Sequence, residues 1–169
     1  FRDPMQSFSK FLLWWSMSAF WVFLTTLNAI TMLTNNFDSI LDVFFIFGLT
    51  LWFIGFGIEL ISDEQKRKFK LKPENNENFI SSGLWSVSRH PNYFGEIILW
   101  IGISIMSLPT LVGIQFLSLI SPIFIYFLLT RISGVNLLEK RADNKWGNQK
   151  DYQDYKRKTP ILIPFRDTQ

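Results

Sequence analysis

Apolar residues in this chain run in long uncharged blocks, and the charged residues gather between them. Residues 11–33 carry no ionisable side chain; as a helix rising roughly 1.5 Å per residue they reach across a hydrocarbon core of about 30 Å. Residues 39–60 form a second block, entered past Asp38 and Asp42 and interrupted by Glu59 near its far end. The run from Ile97 to Thr130 is also uncharged, and as one helix it would extend roughly 50 Å, far more than a bilayer needs. Ser107-Leu108-Pro109-Thr110 divides it, because Pro lacks an N–H and disfavours helix at the residue before it. The pattern predicts spans at 91–108 and 111–131 joined by a tight turn at Pro109, with Pro122 kinking the second.

Residues 62–89 read as a polar loop that starts as a helical extension and passes through Pro73-Glu74-Asn75-Asn76. In the tail, 132–169, Leu137, Leu138, Ala142 and Trp146 recur at helical spacing. That spacing predicts a short amphipathic helix from Asn136 to Trp146, stopped by Gly147. Tyr152 and Tyr155 follow, and then the apolar Ile161-Leu162-Ile163-Pro164-Phe165. The expected fold class is all-α: a polytopic integral membrane helical bundle of about four transmembrane helices plus a short amphipathic C-terminal helix, in one domain over 1–169.

The basic residues orient such a bundle. Arg2 and Lys10 precede the first span, and Lys66, Arg67, Lys68, Lys70, Lys72 and Arg89 lie between the second and third. Arg131, Lys140, Arg141, Lys145, Lys150, Lys156, Arg157, Lys158 and Arg166 follow the fourth, while the hairpin tips at 34–38 and 108–110 carry none. Four spans therefore place all 17 Lys and Arg on one side, and an odd number would not. By the positive-inside rule that side is the cytoplasm or matrix, which fits an endoplasmic reticulum or mitochondrial inner membrane. Juxtamembrane basic residues also bind anionic membrane lipids.

Composition adds exclusions. The chain has no Cys, so disulfides, zinc–thiolate sites and thiol nucleophiles are ruled out. His90 is the only histidine, which excludes a His-based metal cluster, and no metal is expected. A net charge of +3 gives no reason to expect nucleic acid. No P-loop or GxGxxG follows a strand, and no HExxH or GxSxG occurs, so a soluble dinucleotide domain, a metalloprotease and a serine hydrolase lack support. The start at Phe1 rather than Met leads us to expect a processed or partly represented chain. No cleavable signal peptide is expected, since the first apolar run is too long for an h-region and lacks a small-residue cleavage site.

Three constellations could carry chemistry. Glu59, Asp63, Lys66 and Lys70 fall on about one helical stripe, either an interfacial helix end that salt-bridges along itself or a functional edge. In Gly83-Leu84-Trp85-Ser86-Val87-Ser88-Arg89-His90-Pro91-Asn92-Tyr93-Phe94-Gly95-Glu96, Pro91 suits a first helical turn. Asn92 and Glu96 then share a face at a helix N-terminus, whose free N–H groups favour anions, and Gly95 permits close approach of a backbone or ligand. His90 reads either as part of this site or as a helix-flanking interfacial residue. The tail adds Arg131, Glu139, Arg141, Tyr152, Tyr155, Lys156 and Arg157, and with the Lys66–Lys72 cluster makes a basic surface suited to a phosphate-rich ligand or to anionic lipid.

These residues resemble a family. The stretch from Gly57 to Lys70 is similar to the "E…D.QK..F" signature of steroid 5-alpha-reductase-like membrane reductases, in the branch labelled as a domain of unknown function. Gly83 to Glu96, read as "GLW..SRHPNYFGE", resembles its most diagnostic stretch. Ser133-Gly134-Val135-Asn136-Leu137-Leu138-Glu139, Tyr152..Tyr155, Thr159-Pro160 and Ile163-Pro164 look like its C-terminal pattern, so the match runs from about Gly57 to Phe165. The resemblance implies NADPH-dependent reduction of a carbon–carbon double bond in a steroid, sterol or enoyl lipid, with the cofactor buried at the cytoplasmic mouth of a helical bundle. By motif position it implies that Asp63, Lys66 and Lys70 sit near the cofactor phosphates, that Trp85, His90, Asn92, Tyr93 and Glu96 hold the nicotinamide half, and that Arg131, Glu139, Arg141 and Tyr155 complete the pocket. The relatives draw their carbonyl-binding and proton-donating groups from N-terminal helices that find no match here, so no catalytic residue is nominated.

Two other readings stand beside the reductase. A methyltransferase of the isoprenylcysteine or phospholipid type also uses an "RHP.Y.G" run and would bind S-adenosylmethionine; "D.QK..F", Asn92 and Glu96 favour the reductase. A catalytically inactive member serving as a structural subunit among other membrane subunits is favoured by the short chain and by the aromatic-rich first span (Phe11, Trp14, Trp15, Phe20, Trp21).

Overall fold

The computed structural model describes residues 8–35, 42–132 and 134–164, without the Trp14 side chain. Arg2, tip residues 36–38, Ser133, Phe165 and Arg166 lie outside the described residues. Helix α1 (Phe8–Thr34) covers the first predicted span. Helix α2 (Val43–Lys70) starts later than its apolar block, because Asp42 has extended backbone and its Oδ1 accepts the Phe44 N–H at 3.2 Å. It then runs unbroken past Glu59, and Arg67, Lys68 and Lys70 occupy its last turn, where positive charge complements the helix dipole. Helix α3 (Pro91–Ser107) opens on Pro91 and leads into the expected turn, a 3-10 segment at Leu108–Thr110.

The last span differs from the single kinked helix expected. It passes from 3-10 helix (Gly113–Leu119) to α4 (Ile120–Phe127) and then to π-helix (Leu128–Ile132). Pro122 lies in the first turn of α4, where its missing N–H is tolerated and where the helix changes type. Helix α5 (Val135–Trp146) ends as predicted at Gly147, whose N–H reaches Asp143 O at 2.8 Å. A short helix, α6 (Lys150–Lys158), follows it. With four helical stretches among the described residues long and apolar enough to cross a membrane, the protein is a polytopic integral membrane helical bundle.

The tightest packing joins α2 to α3. The buried residues of α2 are Gly48, Gly55 and Ser62, spaced seven apart, and α3 answers with Gly95 and Gly102. Running antiparallel, Gly55 lies on Gly95 and Gly48 on Gly102: a Cβ at Gly55 would stand 2.5 Å from Gly95 O, and one at Gly48 2.5 Å from Gly102 O. In lipid, where apolar surface alone gives little drive to associate, such backbone approach supplies the contact.

Helix α1 is held to the last span by polar groups. Fully buried Asn28 donates from Nδ2 to Ser118 Oγ at 3.0 Å and from its backbone to Ser121 Oγ at 3.3 Å, while Ser121 donates to Leu24 O at 2.7 Å. Ser118→Ala strands the Asn28 amide, whereas Asn28→Leu removes it. The expected result is that Ser118→Ala costs about 1–3 kcal/mol and Asn28→Leu only about 1 kcal/mol. Unfolding midpoints of the two variants in one detergent check the order; an inverted order would show that the amide is not held through Ser118.

Candidate functional site

The far end of α2, the loop after it, the start of α3 and the two tail helices converge on one mouth. Gly83 makes this possible. Its φ is +63°, and a Cβ there would sit 2.6 Å from Gln65 Oε1, which accepts the Leu84 N–H at 2.9 Å. The turn delivers Trp85 into the interior, where its Nε1 donates to Ser62 O at 3.0 Å and Lys66 Nζ lies 4.7 Å from the ring centroid. The tail is strapped onto the same segment. Tyr155 donates to Trp85 O at 2.6 Å, Ser88 Oγ to Leu162 O at 2.8 Å, and the Arg89 N–H to Pro160 O at 2.9 Å. Leu162 in turn packs with Ile97, Ile125 and Leu129 in the core.

A cavity of about 300 Å³ opens among these elements. Its aromatic side chains include Phe79, Trp85, Trp146, Tyr152 and Tyr155, with the Phe79 ring 5.1 Å from Tyr152 and 5.4 Å from Tyr155. Its charged side chains are Lys66, Lys70, Arg89, Arg141 and Lys145 against the single carboxylate of Glu139. Glu139 is spoken for: it accepts from Arg89 Nη1, pairs with His90 Nε2 at 2.8 Å and lies 3.6 Å from Lys156 Nζ. Burial pushes the Tyr152 phenol up, and Glu139 and Asp143 push it further; burial also raises Tyr155. Both therefore remain neutral donors at physiological pH. Loop 71–82 is pinned to α5 by Trp146 Nε1 donating to Glu77 O at 2.8 Å and Lys145 Nζ to Asn76 O at 2.9 Å.

Seven residues nominated from sequence line this cavity: Lys66, Lys70, Trp85, His90, Glu139, Arg141 and Tyr155. The other five do not line it. Tyr93 stacks on His90 with centroids 5.7 Å apart and fills the space that Gly134 leaves open. Glu96 lies on α3 within the electrostatic reach of Glu59 and Asp63 on α2, and Asp63 itself is exposed. Asn92 Oδ1 is buried without a hydrogen-bond partner among the described residues. Arg131 is set apart, exposed on the π-helical segment.

Salt-bridging along the Glu59 stripe is not what the structure shows. Among the described residues Glu59, Asp63, Lys66 and Lys70 form no salt bridge; the ion pairs lie on the neighbouring exposed stripe, where Glu64 meets Arg67 at 2.6 Å and Lys68 at 3.4 Å. Lys145, Phe79 and Trp146 line the cavity without having been nominated, while Arg89 and Tyr152, named in the constellations but given no cofactor role, line it as well. The signal for Lys145 was present, since Leu138, Arg141, Ala142 and Lys145 follow one helical face. Phe79 carried none, because a loop residue has no periodicity.

The family model described as "Protein of unknown function (DUF1295)" matches residues 2–159. The chain belongs to this family. The family is steroid 5-alpha-reductase-like, and similarity extends to curated proteins. The chain is 29% identical to 3-oxo-5-alpha-steroid 4-dehydrogenase 1 of Rattus norvegicus over 121 residues, 72% of this chain and 41% of that protein. It is 30% identical to steroid 5-alpha-reductase DET2 of Arabidopsis thaliana over 124 residues, again 72% and 41%. The Homo sapiens 3-oxo-5-alpha-steroid 4-dehydrogenase 1 is 27% identical over 128 residues, 76% of this chain and 44% of that protein. The chain thus spans about two fifths of the length of these relatives. No solved structure matches it.

Proposed function

We propose that this chain binds NADPH at the mouth and serves a membrane reductase acting on a carbon–carbon double bond of a steroid, sterol or enoyl lipid. The observation that carries the reading is the cavity itself: five basic side chains against one engaged carboxylate, in a membrane bundle whose relatives are steroid reductases. The residues fit such a cofactor. Basic groups suit its phosphates, aromatic walls suit its rings, and the orphaned Oδ1 of Asn92 offers an acceptor for an amide N–H. A volume of about 300 Å³ lies at the low end for ligand pockets, enough for part of a dinucleotide.

Lys66, Lys70 and Arg141 would hold the phosphates, and Trp85, His90, Tyr93, Asn92 and Glu96 the uncharged amide end. Bound there, NADPH would supply hydride. The strap from Tyr155 to Leu162 keeps Trp85 and Arg89 in place. The same reading turns the basic mouth toward the cytoplasm, or toward the matrix if the membrane is mitochondrial.

Titration of purified protein with NADPH tests this. Asn92→Ala and Glu96→Ala are each expected to weaken binding by at least about tenfold while helical content is retained. Parent-like affinity in both variants would remove the amide site from this face of α3. Binding of S-adenosylmethionine in place of NADPH would establish the methyltransferase reading. The structural-subunit reading draws on the apolar faces of α1 and α2 that the chain leaves uncovered; co-purification with other membrane subunits and no nucleotide binding would establish it.

A further inference from the structure

We propose that Glu139 is a built-in counter-anion of the cavity, occupying the Arg89 guanidinium until a phosphate-type anion displaces it. The inference rests on the reading of the mouth as a phosphate-binding site and assigns Arg89 as its interior anchor.

Three observations carry it. Arg89 is largely but not fully buried, its side chain 9% exposed, and it lines the cavity; its Nη1 is taken by Glu139, while its Nε is buried without a partner among the described residues. A planar guanidinium with one unused donor edge suits two phosphate oxygens, which a lysine does not match. Its backbone is fixed, since the Arg89 N–H is bonded to Pro160 O and neighbouring Ser88 to Leu162 O, so the anchor stays while its partner changes. Glu139 keeps other partners when it leaves Arg89, with His90 Nε2 at 2.8 Å and Lys156 Nζ at 3.6 Å, the latter already 2.6 Å from Asp143.

Energetics favour exchange over a permanent bridge. A buried ion pair gains little net stability once desolvation is counted, and a buried guanidinium left alone is costly. Swapping one anion for another keeps Arg89 neutralised throughout.

The experiment titrates the full chain in nanodiscs with inorganic pyrophosphate and, separately, with NADPH. Glu139→Gln should bind pyrophosphate on the order of tenfold more tightly than the parent, and Arg89→Gln on the order of a hundredfold more weakly. A purely structural role for the pair predicts weaker binding in both, and that outcome, or an unchanged Glu139→Gln, overturns the proposal. Arg89→Lys keeps the charge and loses the fork, so it decides the matter if Glu139→Gln does not fold: weakened pyrophosphate binding supports the anchor, and parent-like binding refutes it. The opposite shifts with pyrophosphate in a chain that ignores NADPH would sustain the counter-anion and sink the cofactor reading. NADPH binding that no Arg89 or Glu139 variant alters would do the reverse.

Discussion

Gly55→Val should separate α2 from α3 and cost at least about 3 kcal/mol, the upper range for overpacking a tight contact. A Cβ at position 55 would meet Gly95 O at 2.5 Å, Leu99 N at 2.5 Å and Leu99 Cα at 2.9 Å. All three are backbone atoms of a helix, so no side chain can swing aside and the two axes must move apart. That movement propagates to the mouth, because Ser62 follows Gly55 by two turns on the same stripe and its carbonyl accepts the Trp85 indole. Gly57→Ala is the matched control: nothing lies within 4 Å of a Cβ there, so the change should be neutral or slightly stabilising. Thermal unfolding and size-exclusion profiles in detergent measure both. Equal behaviour of the two variants would contradict the glycine contact.

Lys70→Glu and Arg141→Glu should each lower NADPH affinity by about a hundredfold, and the loss should shrink as salt is raised. Both side chains line the cavity, one from the end of α2 and one from α5, where a reversed charge faces the remaining basic groups and the incoming phosphates. Lys68→Glu makes the same charge change on the same helix end, yet Lys68 lies exposed beside Glu64 and outside the cavity lining. It should alter affinity by less than about threefold. Equal losses in Lys68→Glu and Lys70→Glu would reduce the cavity to a diffuse basic surface attracting any anion.

Much of the candidate site was legible because its residues belong to continuous segments. Lys66 and Lys70 share a helical stripe, and Trp85 and His90 fall in one motif. The structure brings those segments to one cavity with Glu139, Arg141 and Tyr155 from the tail. What the sequence left open was decided by which side chains meet. The Glu59 stripe had two readings, a salt-bridged helix end or a functional edge, and the ion pairs form instead on the neighbouring stripe, where Glu64 holds Arg67 and Lys68. Arg89 was legible as part of the Gly83–Glu96 motif, but its partner Glu139, fifty residues on, was not.

The sequence by itself determined the membrane-spanning character, the approximate spans and the amphipathic tail helix, because each depends on hydropathy and periodicity over neighbouring residues. Hydropathy does not report which faces meet, and in lipid it supplies little preference among them. Only the tertiary structure showed Gly48 and Gly55 seated on Gly102 and Gly95, the change of helix type around Pro122, and the tail strapped over Trp85 and Arg89. These rest on backbone approach and on hydrogen bonds between residues far apart in the chain, and those become defined only when the helices are placed together.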